Sequence, residues 1–211
     1  ILLTNWVIYY KDYYWKKEYL KHPEWDRIAI TTLFTFYFDI TVKTINNFKQ
    51  LLKKDGSIMV GGVLATLQPK ELEAATGIKP YVGLLNKPRI LDPDNDMIVD
   101  ELPLDYTILE ENEYNYPMSN AFYGYMTRGC IRQCPFCAVP KLEPKYEEFI
   151  PLKERIQKVI EVCGDQKDLL LMDNNVLASH SFDKIIDEIV ECGFYAGAMW
   201  KEPDSLMIGI K

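Results

Sequence analysis

The sequence has no run of about 18 apolar residues of the kind a bilayer-spanning helix needs, so no membrane association is expected. It also has no basic block. Its 24 Lys and Arg and 31 Asp and Glu are spread along 211 residues with a net charge of −7, which argues against a sequence-independent nucleic-acid binder and leaves only local phosphate contacts open. Histidine is scarce, with His22 and His180 remote from the other ligand-type residues. No internal repeat or low-complexity tract is found. Cysteine is limited to five residues, three of them within eight positions, which is not the pattern of a secreted disulfide framework. A reducing, cytoplasmic setting is expected. What remains is ordinary globular composition, 48% hydrophobic and 26% charged, enough for one or two domains.

The first half alternates strand and helix signals. Ile28 to Phe36 is rich in β-branched and aromatic residues and reads as a buried strand. Val42, Ile45, Phe48 and Leu52 then recur at helical spacing, with Asp39 or Thr41 as N-cap and Gly56 beyond the last turn. Ile58 to Val60 rises into Gly61-Gly62, a short helix is expected over 69–75, and another strand over 80–84. Strand, helix, strand implies parallel pairing and a right-handed crossover. Residues 1–87 are therefore read as a doubly wound parallel-sheet α/β domain. The segment 88–118 reads as a linker, for its prolines, its Pro-Asp-Asn-Asp cluster and its acidic run Glu110-Glu111-Asn112-Glu113.

From 119 onward the alternation resumes. Asn120 to Thr127 reads as a strand ending at Arg128-Gly129-Cys130. Leu152, Ile156, Val159, Ile160 and Cys163 share a helix face that Gly164 terminates. Asp168 to Asp173 reads as a buried strand, and Phe182, Ile185, Ile186, Ile189 and Val190 form the stripe of a second helix ending at Gly193. Phe194 to Trp200 reads as a further strand. The aromatic opening, Trp6 to Tyr19 interspersed with lysines, could stack on bases but reads more simply as a segment packed on the fold or on a partner.

The sharpest feature is Cys130-Ile131-Arg132-Gln133-Cys134-Pro135-Phe136-Cys137, a C-x3-C-x2-C run just past a strand. Three thiolates on one small loop can hold an iron-sulfur cluster or a zinc ion, and a complete four-ligand site of either kind needs one more donor. None is evident nearby, because Cys163 and Cys192 fall on apolar helix faces and read as small buried hydrophobes. On a four-iron cluster this leaves one iron open to a substrate or cofactor. An electron carrier, which completes its cluster with four protein ligands, fits less well.

This loop, with an aromatic residue before the last cysteine, after a strand and ahead of βα units, resembles the radical S-adenosylmethionine superfamily. The resemblance is best over 120–211, and the α/β domain ahead of it resembles the class with an N-terminal cobalamin-binding domain. It implies a partial (βα) barrel over 119–211, a [4Fe-4S] cluster on Cys130, Cys134 and Cys137, and S-adenosylmethionine chelated at the open iron and cleaved to a 5′-deoxyadenosyl radical. Phe136 would lie beside the adenine. Asp173, Asn174 and Asn175 stand where the family carries a Gly-Gly-Glu-like segment that holds the cofactor amino group, though the glycines are missing. Gly61-Gly62 matches a segment that lines the corrinoid tail in cobalamin-domain relatives. The Asp-x-His-x-x-Gly signature is absent, so cobalamin is the weaker expectation. Arg128 is given no catalytic role.

The resemblance further implies an electron donor such as flavodoxin or ferredoxin, an unidentified substrate, and methyl or methylthio transfer among the outcomes. The alternative is a structural or interaction protein holding zinc on the same loop. The barrel type needs about six βα units by analogy with larger barrels, and the sequence reaches Lys211 inside what should be the third. Together with a start at Ile1 rather than Met, this leads to the expectation that the chain is part of a longer protein.

Overall fold

The computed structural model describes Lys16, residues 24–106 and residues 120–194. The aromatic opening, His22, the acidic run 110–113, all but the first residue of the strand expected over Phe194 to Trp200, and the unit expected at Lys211 lie outside the described residues. The chain divides after Leu84 into two units, each considered by itself. Both are mixed α/β, each built on a two-stranded parallel sheet. Among the described residues neither sheet extends to a doubly wound sheet or closes into a barrel.

In the first unit, strand β1 (Trp25–Thr32) and helix α1 (Phe38–Lys49) lead to strand β2 (Leu52–Gly62), followed by the short helices α2 (Val63–Leu67) and α3 (Pro69–Thr76). β1 pairs with β2 in register from Arg27 opposite Ser57 to Thr32 opposite Gly62, after an irregularity beyond Trp25. Of the stripe expected on α1, Ile45 is wholly buried with Val60, Leu64, Ala65 and Leu72 and Val42 packs against them, whereas Phe48 is exposed and Leu52 opens β2 instead of continuing the helix. Proline opens α3 at its first turn, where its missing N–H is harmless, and Gly77 closes it in the left-handed conformation at φ +68°.

Three sequence expectations shift here. Phe34 and Phe36 do not continue β1, because the chain turns into a 3-10 segment, Thr35–Tyr37, and leaves them exposed. Gly56 ends no helix. It lies inside β2, where a Cβ would come within 2.9 Å of the Trp25 carbonyl oxygen. Residues 80–84 form no strand, although the Tyr81 amide donates to the Val60 carbonyl at 2.8 Å and so lies against the free edge of β2.

The second unit begins with the stretch read as a linker over 88–118, and the described part of it, 88–106, is held to the rest of the unit. Asp100 in the 3-10 turn Val99–Glu101 pairs with Arg128, and Tyr106 is buried against Phe122 and Val159. Strand β3 (Ala121–Gly124) pairs in parallel with β4 (Asp168–Leu171), and between them run α4 (Val139–Leu142) and helix α5 (Lys153–Cys163). Helix α6 (Phe182–Glu191) follows β4. Met126, Leu152 and Ile185 form a second core cluster.

Helix α5 has no capping side chain of its own. Glu188 of α6 supplies one, accepting the Leu152 and Lys153 amides at 2.9 and 3.1 Å. Of the stripe expected on α6, Ile185 is buried and Ile189 packs beside it, whereas Ile186 and Val190 are exposed. β4 is half-buried rather than buried. Cys163 packs on the Tyr106 cluster. Both Cys163 and Cys192 are only partly buried, and burial is the leading cause that raises the Cys192 pKa above the ordinary thiol value.

Candidate functional site

The cysteine loop leaves the carboxyl end of β3 and is closed at its neck. Arg128 and Glu147 exchange both backbone hydrogen bonds at 3.0 Å, and the Ile150 amide donates to the Met126 carbonyl at 2.7 Å. Gly129 passes so close beneath the returning chain that a Cβ would meet the Lys145 and Glu143 carbonyl oxygens at 2.7 and 2.9 Å. Its φ of +68° also belongs to the region that glycine tolerates best.

The carboxyl end of β4 supplies the other wall. Asp173 receives the Thr127 amide at 2.5 Å, the Thr127 hydroxyl at 2.6 Å and the Met126 amide at 3.1 Å. Its carboxylate therefore holds the turn that leads into the cysteines. Asn174 donates to Glu143 Oε2 at 2.7 Å, and Asn175 donates to Cys130 Sγ at 3.4 Å. The structure thus brings four sequence-selected residues, Cys130, Asp173, Asn174 and Asn175, to one edge of the sheet. Asp173, Asn174 and Asn175 thus all bond to the loop or to the turn that leads into it.

The Asn175 amide and the backbone N–H of Arg132 both donate to the Cys130 sulfur, and these hydrogen bonds lower its pKa below the ordinary thiol value. Charge-assisted donation to sulfur favours the thiolate, the form that binds metals. Cys134 and Cys137 are joined by a tight turn in which the Cys137 amide donates to the Cys134 carbonyl at 3.0 Å. At the tip Phe136 is 92% exposed and Ile131 half exposed.

The donor set fits a cluster in chemistry and placement, with three free, partly exposed thiols on one loop at a sheet's carboxyl edge. Among the described residues, no three His, Cys, Asp or Glu side chains converge into a metal-binding group. The three sulfurs would have to draw together to share one centre.

Two residues central to this neck escaped the sequence reading. Glu143 accepts the Gly129 amide at 2.8 Å beside its bond from Asn174. Asp100, in the stretch taken as a linker, receives the Tyr125 hydroxyl at 3.0 Å and Arg128 at 2.7 Å. The Arg128 and Arg155 guanidinium carbons lie 4.0 and 4.1 Å from the Tyr125 ring centroid. Burial raises the Tyr125 pKa, offset in part by these arginines. A single acidic residue in a polar segment leaves no periodic trace, and no spacing rule would have singled out either one.

In the first unit, the second glycine of Gly61-Gly62 has a steric explanation. Gly62 sits at φ +99°, and a Cβ there would be 2.3 Å from the Thr32 carbonyl oxygen. The Thr32 hydroxyl donates to the Gly61 carbonyl at 2.8 Å and accepts the Ala65 amide at 2.9 Å, so it fastens the turn into α2.

Fold and site together define an α/β chain with a polar-necked cysteine loop at the carboxyl edge of a parallel strand pair. No protein-family model matches it. The chain is similar to the NADPH-dependent 7-cyano-7-deazaguanine reductases of Thermoanaerobacter pseudethanolicus and Caldanaerobacter subterraneus subsp. tengcongensis, 29% identical to each over 89 residues, or 42% of this chain. The match spans less than two thirds of these relatives, 64% and 63% of their lengths. Both relatives are enzymes. No solved structure shows significant similarity. No helix among the described residues is long and apolar enough to cross a membrane.

Proposed function

We propose that the chain carries the cluster-binding part of a radical S-adenosylmethionine enzyme, with Cys130, Cys134 and Cys137 as the ligands of a [4Fe-4S] cluster. One observation carries this reading: the C-x3-C-x2-C loop springs from the carboxyl end of a parallel strand, where α/β folds place their reactive loops. When bound, the cluster and S-adenosylmethionine supply the radical that begins hydrogen-atom abstraction. The chain's own residues supply the positioning. Asp173 locks the turn before the loop, Asn175 holds the Cys130 sulfur, and Phe136 offers an open aromatic face to an adenine. Asn174 and Asn175 spend an amide N–H on the loop, so their side-chain oxygens are the acceptors available to the cofactor amino group.

In this reading the second unit is the first portion of a βα barrel and the first unit belongs to a larger doubly wound sheet. The electron donor is a flavodoxin or ferredoxin, and the setting is the reducing cytoplasm. Cobalamin on the first unit is the weaker part, because the close approach of Gly62 to Thr32 already accounts for the glycine.

Anaerobic reconstitution with iron and sulfide, followed by electron paramagnetic resonance of the reduced protein with and without S-adenosylmethionine, tests the assignment. A signal that changes on adding S-adenosylmethionine, and is lost in Cys134→Ala, is the expected result. Stoichiometric zinc with no cluster overturns it and makes the loop a structural site. A second reading rests on the two relatives and makes the chain part of an NADPH-dependent reductase acting on a nitrile-bearing deazapurine. Loss of NADPH absorbance on adding 7-cyano-7-deazaguanine, with no cluster present, would favour it.

A further inference from the structure

The neck of the cysteine loop contains a carboxylate for which neither the resemblance nor the relatives provide a role. Glu143 lies at the end of α4, its side chain 14% exposed. One oxygen, Oε2, accepts two hydrogen bonds, from the Gly129 amide at 2.8 Å and from Asn174 Nδ2 at 2.7 Å. The other, Oε1, is 3.3 Å from Arg128 Nε. That nitrogen is buried and not aligned for a hydrogen bond, so charge holds this pair. Arg128 is anchored on its far side by Asp100 at 2.7 Å.

A group surrounded by an amide N–H, a carboxamide N–H and a guanidinium must be an acceptor on every side, which among side chains only a carboxylate supplies. It joins the residue directly before Cys130 to the segment directly after β4, whose next residue, Asn175, touches the Cys130 sulfur. Gly129, already pressed beneath the returning chain, has little other freedom.

We infer that Glu143 is a positioning residue: its carboxylate fixes the Gly129–Cys130 limb against the end of β4 and so places the first of the three thiols for cluster capture. The inference rests on the cluster reading of the loop. Partners beyond the ligands themselves typically change metal affinity by about tenfold to a hundredfold when removed. Glutamine at 143 keeps one oxygen for Gly129 and Asn174 but turns an NH2 toward Arg128, so its effect falls between wild type and alanine.

The test compares wild type, Glu143→Gln and Glu143→Ala after anaerobic loading with iron and sulfide. It reads the rate of iron loss to a chelator, and amide hydrogen exchange at Gly129 and Cys130 in the unloaded protein, with far-ultraviolet circular dichroism as the check on folding. The expected result is iron loss faster by about tenfold or more in Glu143→Ala, a smaller change in Glu143→Gln, and faster exchange at Gly129 in both. Folded variants that hold iron and protect Gly129 as wild type does overturn the inference. If Glu143→Ala does not fold, the isosteric Glu143→Gln decides by the same two readouts. Should wild type itself take up no iron and sulfide, the cluster reading fails. Exchange at Gly129 then decides alone, with unchanged protection overturning the positioning role and faster exchange upholding it for the loop.

Discussion

Replacing Asp173 by alanine separates two roles for that residue. If it served only to bind a cofactor, its removal would leave the unloaded protein as stable as before. The geometry says otherwise. The carboxylate receives the Met126 and Thr127 amides and the Thr127 hydroxyl, and both Met126 and Thr127 are essentially buried. Alanine leaves three donors without a partner at about 1–3 kcal/mol each, before discounting for water that reaches this half-buried position. A net loss of about 3 kcal/mol is expected, which corresponds to roughly a hundredfold faster exchange at the Thr127 amide. Asparagine retains one acceptor oxygen but not the charge, and should lose about 1 kcal/mol. The assay is hydrogen exchange at Met126 and Thr127, together with the urea midpoint followed by circular dichroism. An Asp173→Ala protein with protection at Thr127 and a midpoint within about 0.5 kcal/mol of wild type would refute the reasoning.

Ile45→Ala should lose about 2–5 kcal/mol because the side chain is wholly enclosed, whereas Phe48→Ala, on the outer side of the same helix, should lose under about 1 kcal/mol; paired urea titrations make the comparison. Gly62→Ala should cost roughly 3 kcal/mol or more, since its Cβ would overlap the Thr32 carbonyl at an unfavourable φ, and thermal melting reads the loss. Burial raises the Tyr106, Tyr123 and Tyr125 pKa values, with the Tyr123 amide hydrogen bond partly opposing the shift at Tyr106. The unfolded chain therefore ionises first: the stability these neutral phenols contribute is complete below about pH 10 and is lost as pH rises through their folded values. A urea midpoint measured from pH 8 to 11 should fall steeply above 10 in wild type and less steeply in Tyr125→Phe.

The elements best read from sequence are those whose helix periodicity and terminating glycine agree. The helix over 153–163 ends at Gly164, and the helix over 182–191 is followed by Gly193 at φ +94°. Where signals conflicted, packing decided. Phe34 and Phe36 look like strand residues by propensity, but the sheet ends at Thr32 and they stack on each other outside it, ring centroids 5.0 Å apart. Gly56 resembles a helix stop and instead permits close contact between strands. The cysteines and the polar residues after β4 were visible as a constellation because their spacing and placement are local. The partners that fix them were not, since Asp173 reaches back 46 residues to Thr127, and Asp100 reaches forward 28 to Arg128. Pairings across such distances leave no mark in the pattern along the chain.

The backbone bridge between Arg128 and Glu147 makes the segment it encloses a cassette. Once the two strands of the bridge are joined, lengthening the enclosed chain raises the closure entropy only logarithmically, by about 0.6 kcal/mol for each doubling. Insertions or exchanged residues between Ile131 and Pro135 should therefore be absorbed without disturbing β3, β4 or the helices behind them. The frame can keep its stability while the tip changes what it holds, and a tip grafted between Ile131 and Pro135, with Gly129 and Glu143 kept, would inherit its orientation from the neck rather than from its own sequence.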